Sequence, residues 1–144
     1  MSSLHSKFRK VVRRAWMKYA MRGVGGADDY GRLELAYRLG DPWDMESGVE
    51  QARFVATNAL VERTFGHVGS LLEIGCGEGH QTQALCRLAD EVHGIDVCPT
   101  AIARARARVP AAHFSTTDIH GQLQGGQDGR FDLVVACEVL YYIK

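Results

Sequence analysis

Apolar positions follow two rhythms along the chain. Leu4, Phe8, Val11, Val12, Ala15, Trp16 and Tyr19 recur every three or four residues, which predicts an amphipathic helix over 3–22. Between them stand Lys7, Arg9, Lys10, Arg13, Arg14, Lys18 and Arg22, with no acid. Gly23–Asp29 is a flexible break, and a short helix is predicted from Tyr30 to Leu39. Gly40-Asp41-Pro42-Trp43-Asp44 is a turn, because Pro42 disfavours helix in the residue before it. A further helix is predicted over 46–65, with Val49, Phe54, Val55, Leu60, Val61 and Phe65 as its apolar positions.

Beyond the Gly66–Gly69 link the rhythm changes. Short apolar runs ending near Ile74, Val97, Thr116 and Ala136 read as four strands. The helical segments His80–Ala89 and Pro99–Val109 separate the first three. Pro99 suits a helix start, where its missing N–H costs nothing. The His120–Arg130 stretch holds Gly121, Gly125, Gly126 and Gly129 and is predicted to be a loop. This alternation predicts an α/β fold: a Rossmann-like, doubly wound, mostly parallel sheet with helices ahead of it. Residues 1–66 form the expected N-terminal helical segment, and 67–144 the expected ligand-binding core.

The first strand leads into Glu73-Ile74-Gly75-Cys76-Gly77-Glu78-Gly79. A strand that enters a glycine turn and leaves as a helix lets a nucleotide-like ligand lie against bare backbone. The spacing is G-x-G-x-G, whereas dinucleotide dehydrogenases use G-x-G-x-x-G. Asp96 ends the second strand about 20 residues on, where a carboxylate can accept both hydroxyls of a ribose. The plainer alternatives are a tight turn without a ligand and a helix-capping aspartate. His80 is expected as an exposed first-turn residue. Arg104 and Arg108 share a helix face, expected to be solvated.

Charge and cysteines narrow the class. Lysines and arginines balance aspartates and glutamates at 17 each, so the whole chain is no electrostatic nucleic-acid binder. Cys76, Cys86, Cys98 and Cys137 form no C-x-x-C pair, which predicts free thiols, no structural metal and a cytoplasmic location. No apolar run approaches the roughly 18 residues of a membrane span. Three readings stand for the basic helix: packing on the domain with a solvated cationic face, contact with an anionic surface, and a transit peptide.

Glu73–Gly79, Gly94-Ile95-Asp96, Thr117-Asp118-Ile119 and Phe131–Val135 resemble, in order, the first four motifs of class I S-adenosyl-L-methionine-dependent methyltransferases. The resemblance covers residues 45–144. It implies cofactor contacts from Glu73, Gly75, Cys76, Gly77 and Gly79 to the methionine part. Asp96 and Val97 would serve the ribose, and Asp118 and Ile119 the adenine. It places Glu138 and Tyr141, after the fourth strand, beside the methyl acceptor as catalytic candidates. The Asp41-Pro42-Trp43 turn, followed by Glu50, Arg53 and Phe54, is similar to the nodulation protein S type of N-methyltransferase. That likeness implies a small-molecule or sugar amine as acceptor, of the deacetylated chitooligosaccharide kind, with Trp43 and Arg53 touching cofactor or acceptor. The resembled fold has seven strands and this chain shows four, so a truncated enzyme is expected. The alternatives are a catalytically incomplete cofactor- or partner-binding remnant and, more remotely, a nicotinamide-dependent oxidoreductase.

Overall fold

A computed structural model describes residues 2–22, 29–38, 40–124 and 129–142. Most of the Gly23–Asp29 break, with Leu39, Gly125 and Gly126, lies outside the described residues. The chain forms two compact units, 1–43 and 44–144.

The first unit contains α1 (Ser2–Ala20) and α2 (Asp29–Tyr37). Trp16 joins them, its indole N–H donating to the Leu35 carbonyl at 3.2 Å. Ala20 and Leu33 are buried. In the turn that follows, the Trp43 backbone N–H donates to Asp41 Oδ1 at 2.9 Å, and its indole N–H meets the Tyr37 hydroxyl at 3.3 Å.

The second unit opens with α3 (Gly48–Phe65). Ser47 caps it by accepting the Glu50 N–H, the start of a Ser-x-x-Glu capping pattern. Gly66 ends it at φ +67°. Then come β1 (Val68–Ile74), α4 (His80–Leu85), β2 (Ala89–Asp96), α5 (Pro99–Arg108), β3 (His113–Thr116), α6 (Ile119–Gln124) and β4 (Leu133–Ala136), with a 3₁₀ turn over Leu140–Tyr142.

The four strands are parallel, in the order β3-β2-β1-β4. Leu71–Ile74 of β1 are buried on both faces, as an interior parallel strand requires. On one face Leu71, Val92 and Val135 pack with Val61 of α3 and Leu85 of α4. Cys76 and Phe114 pack with Ile102, Ala105 and Val109 around α5. On the other face Leu72, Ile74 and Ile95 meet Ile119, Phe131 and Val139.

Two expectations on this stretch need correction. Helix α4 stops at Leu85, not Ala89, because Ala89 pairs with Val68 and begins β2. Part of the glycine-bearing stretch is helical: Asp118 Oδ1 accepts the Gly121 N–H at 2.7 Å and caps α6. Asp132, from the fourth resembled motif, binds Ser70 through its Oδ2 (2.8 Å from the Ser70 N) and its own N–H (3.0 Å to the Ser70 carbonyl). It pins the entry of β4 to β1.

Candidate active site at the carboxyl ends of the strands

β1 lies between β2 and β4. The chain therefore leaves β1 toward one side of the sheet, and β4 returns on the other. A crevice opens at the carboxyl ends where the winding reverses, and the glycine turn sits there.

The turn is built from backbone. The N–H groups of Gly75 and Cys76 both donate to the Ile95 carbonyl, at 2.8 and 3.0 Å. Gly75, Gly77 and Gly79 have φ of +73°, +53° and +81°, values side-chain-bearing residues seldom adopt. Space adds a second demand at two of them. A Cβ on Gly75 would stand 2.5 Å from Val139 Cγ2, and one on Gly79 3.2 Å from the Ala105 Cα. The Cys76 side chain points into the α5 cluster, where burial pushes its thiol pKa up.

Asp96 ties the end of β2 to this turn. Its Oδ2 accepts the Gly77 N–H at 3.0 Å and its Oδ1 the Cys98 N–H at 2.9 Å. Burial raises its carboxyl above the usual aspartate range, against the pull of those N–H groups. Val97, beside it, is half-buried.

Glu73 is 3% exposed. The Thr82 hydroxyl donates to its carboxyl group. Burial pushes its pKa up from 4.5 to about 8, more than the Thr82 hydrogen bond lowers it. Between those two values the folded chain holds a proton on Glu73 that the unfolded chain has lost. Stability therefore falls as pH rises through that window and levels off above it. The expected slope from this residue approaches about 1.4 kcal/mol per pH unit. In urea titrations from pH 5 to 8, Glu73→Gln is expected to lose that slope. An unchanged slope in the variant refutes the assignment.

Glu78 reaches away from the crevice. Its carboxylate pairs with Arg104, its carbonyl accepts from Arg108 Nε at 3.0 Å, and His80 Nε2 lies 3.6 Å from its Oε2. Burial pushes the Glu78 carboxyl up, but His80 and Arg104 outweigh it and hold it below the usual range. These contacts overturn one expectation: the His80 side chain is buried at 7% exposure. Arg104, 36% exposed at its side chain, and the exposed Arg108 face solvent and also bond the glycine turn from α5. The signal was available in principle: two arginines one helical turn apart, and an acid in the turn they face.

The other candidates are less convergent. Asp118 is occupied at Oδ1 by its cap, and Ile119 packs on the sheet. Arg53 pairs with Glu50 and lies over the Phe54 ring at 5.4 Å. Glu138 follows β4 with an exposed side chain and φ +54°. Tyr141 is in the 3₁₀ turn, and its side chain lies outside the described structure. Thr82 and Val139 were missed, since neither residue type marks a ligand site. Among the described residues no group of three or more His, Cys, Asp or Glu side chains is arranged to hold a metal.

Comparison with known proteins agrees with this geometry. The family model "Nodulation protein S (NodS)" matches residues 25–144. Nodulation protein S of Bradyrhizobium diazoefficiens is 36% identical over 121 residues, covering 81% of this chain and 56% of that protein. The Rhizobium tropici protein is 32% identical, covering 84% of this chain and 51% of its own. A crystal structure of N-methyltransferase NodS from Bradyrhizobium japonicum WM9, in complex with S-adenosyl-L-homocysteine, superposes with a TM-score of 0.62 at 30% identity. It covers 89% of this chain and 59% of that one. The chain thus spans about half the length of the curated relatives it matches. With four parallel strands in methyltransferase order, a glycine turn at the switch point and a family match over most of its length, the chain belongs to the nodulation protein S family.

Proposed function

We propose that this chain binds S-adenosyl-L-methionine at the glycine turn and transfers its methyl group to an amine on a small molecule or sugar. The carrying observation is the pairing of a bare glycine turn with two carboxyls, buried Glu73 and half-buried Asp96, at the carboxyl ends of adjacent strands. The residues fit the cofactor. Glu73 is held protonated by burial, and a ligand ammonium would supply the cation that ionises it. Asp96 offers a carboxylate already oriented by two N–H groups, as a ribose diol requires. The left-handed glycines keep side chains off the turn.

The donor supplies an electrophilic methyl on a sulfonium: the carbon–sulfur bond breaks, sulfur keeps its electron pair, and the acceptor nitrogen forms the new bond. The chain's own part is to position the reactants and exclude water. Glu138, exposed beside the crevice, is assigned the task of holding the acceptor amine and taking its proton. Tyr141 is assigned to the same acceptor by its place in the chain after β4. The amine is chosen because the matched structure is of an N-methyltransferase.

Calorimetric titration with S-adenosylhomocysteine at pH 7 tests the donor site. Micromolar binding is expected, with close to one proton released as Glu73 ionises, read from buffers of different ionisation enthalpy. Glu73→Gln is expected to release none. Incubation with S-adenosylmethionine and a glucosamine oligomer is expected to add methyl to the free amine and none to its N-acetylated counterpart. Binding without transfer leaves a cofactor-binding chain. No binding by folded protein overturns the reading.

A further inference from the structure

Helix α1 lies ahead of the family match, which begins at residue 25. At 100° per residue, Val11, Phe8, Tyr19 and Val12 fall on one arc of α1. Lys18, Lys7, Arg14 and Lys10 fall on the adjoining arc, which begins about 20° from Val11. Trp16 and Ala20 stand at a third position, where Trp16 bonds α2 and Ala20 is fully buried. Contact with α2 therefore leaves the apolar arc uncovered: Phe8 is 70% exposed, Val11 64%, Tyr19 55% and Val12 41%.

We propose that α1 lies in the plane of an anionic phospholipid surface. Six lysines and arginines and no acid stand between Ser2 and Ala20, so the helix complements negative headgroups from Lys7 to Lys18, about 17 Å of its length. The apolar arc selects lipid over other polyanions. A phosphodiester backbone would satisfy the cations and leave Phe8 and Val11 in water, whereas the boundary between headgroups and acyl chains buries them. Tyr19, 55% exposed on that arc, has the amphipathic ring that settles at such a boundary. No helix among the described residues is long and apolar enough to cross a membrane, so α1 lies on the surface. The proposal stands apart from the reading of the cofactor crevice.

The test is sedimentation of the full chain with vesicles of phosphatidylcholine alone and with 30% phosphatidylglycerol. Partitioning is expected to be at least about tenfold stronger on the anionic vesicles and to weaken several-fold as salt is raised. The double variant Phe8→Glu, Val11→Glu is expected to lose partitioning while its circular dichroism and melting temperature stay unchanged. A milder pair, Phe8→Ser, Val11→Ser, guards against disruption of the helix and is expected to lose most of it. Failure of the native chain to partition overturns the proposal. So does full binding by the folded glutamate variant, which would make the contact purely electrostatic. Equal retention on a DNA duplex by native and variant, or self-association without vesicle binding, assigns the helix to another partner and also overturns it.

Discussion

Replacing Asp96 by alanine is expected to lower the affinity for S-adenosylhomocysteine by about 100-fold or more. The carboxylate stands at the end of β2 with both oxygens already oriented, Oδ2 by Gly77 and Oδ1 by Cys98. Hydrogen bonds from ligand hydroxyls to a carboxylate contribute roughly 1.5–3 kcal/mol each, and two of them suffice for that loss. The alanine variant also leaves the Gly77 N–H without its acceptor, so the turn loses the bond joining it to β2. Asp96→Asn keeps one acceptor oxygen and is expected to fall between. Calorimetry decides: an alanine variant within twofold of the native affinity removes Asp96 from the ligand site.

Gly75→Ala is expected to destabilise the chain by about 3 kcal/mol. Holding a side-chain-bearing residue at left-handed φ costs roughly 1–2 kcal/mol, and φ here is +73°. The new methyl would also stand 2.5 Å from Val139 Cγ2, and overpacking adds roughly 1–3 kcal/mol. For a unit of about 100 residues the melting temperature should drop by about 10–20 °C. The two causes separate in a double-mutant cycle. Val139→Ala removes the Cγ2 contact but keeps Val139 Cβ at 2.8 Å, so it relieves part of the clash and leaves the dihedral, and a coupling of about 1 kcal/mol is expected. Melting of Gly75→Ala within about 2 °C of the native chain would show that β4 and its tail do not pack on the turn as described.

The predicted fold was legible because its strongest signals are local. Leu71, Leu72 and Ile74 form an apolar run broken only by Glu73, and the three glycines that follow can adopt dihedrals other residues avoid, so strand, turn and helix were each written in adjacent residues. Asp96 was legible as a carboxylate ending the second strand about 20 residues after the turn, but its bond to the Gly77 N–H carries no mark in sequence. What escaped depends on contacts far apart in sequence. Arg104 reaches Glu78 across 26 residues and Arg108 across 30, and alternating arginine and alanine look the same whether they face water or a buried acid. Val139 meets Gly75 from the far side of the sheet winding, and a valine carries no mark of such a neighbour. Asp118 shows the opposite limit. One aspartate before a short helix serves a cap and an adenine contact equally well in sequence, and the cap is what its Oδ1 makes.

The strand order also sets a sequence of events in time. Val68 of β1 pairs with Ala89, 21 residues on, while the Ser70–Asp132 clamp that seats β4 joins residues 62 apart. Closing the longer loop costs about 1 kcal/mol more in chain entropy, and β4 offers only four paired positions in return. Contacts of that separation are slow to form, so β1, α4 and β2 are expected to assemble first and β4 to dock late. Val139 travels with β4, so the glycine turn stays unbraced until that arrival. Any molecule that binds the finished turn more tightly than the unbraced one holds β4 in place by mass action, and the last strand to dock becomes the one whose residence time the ligand governs.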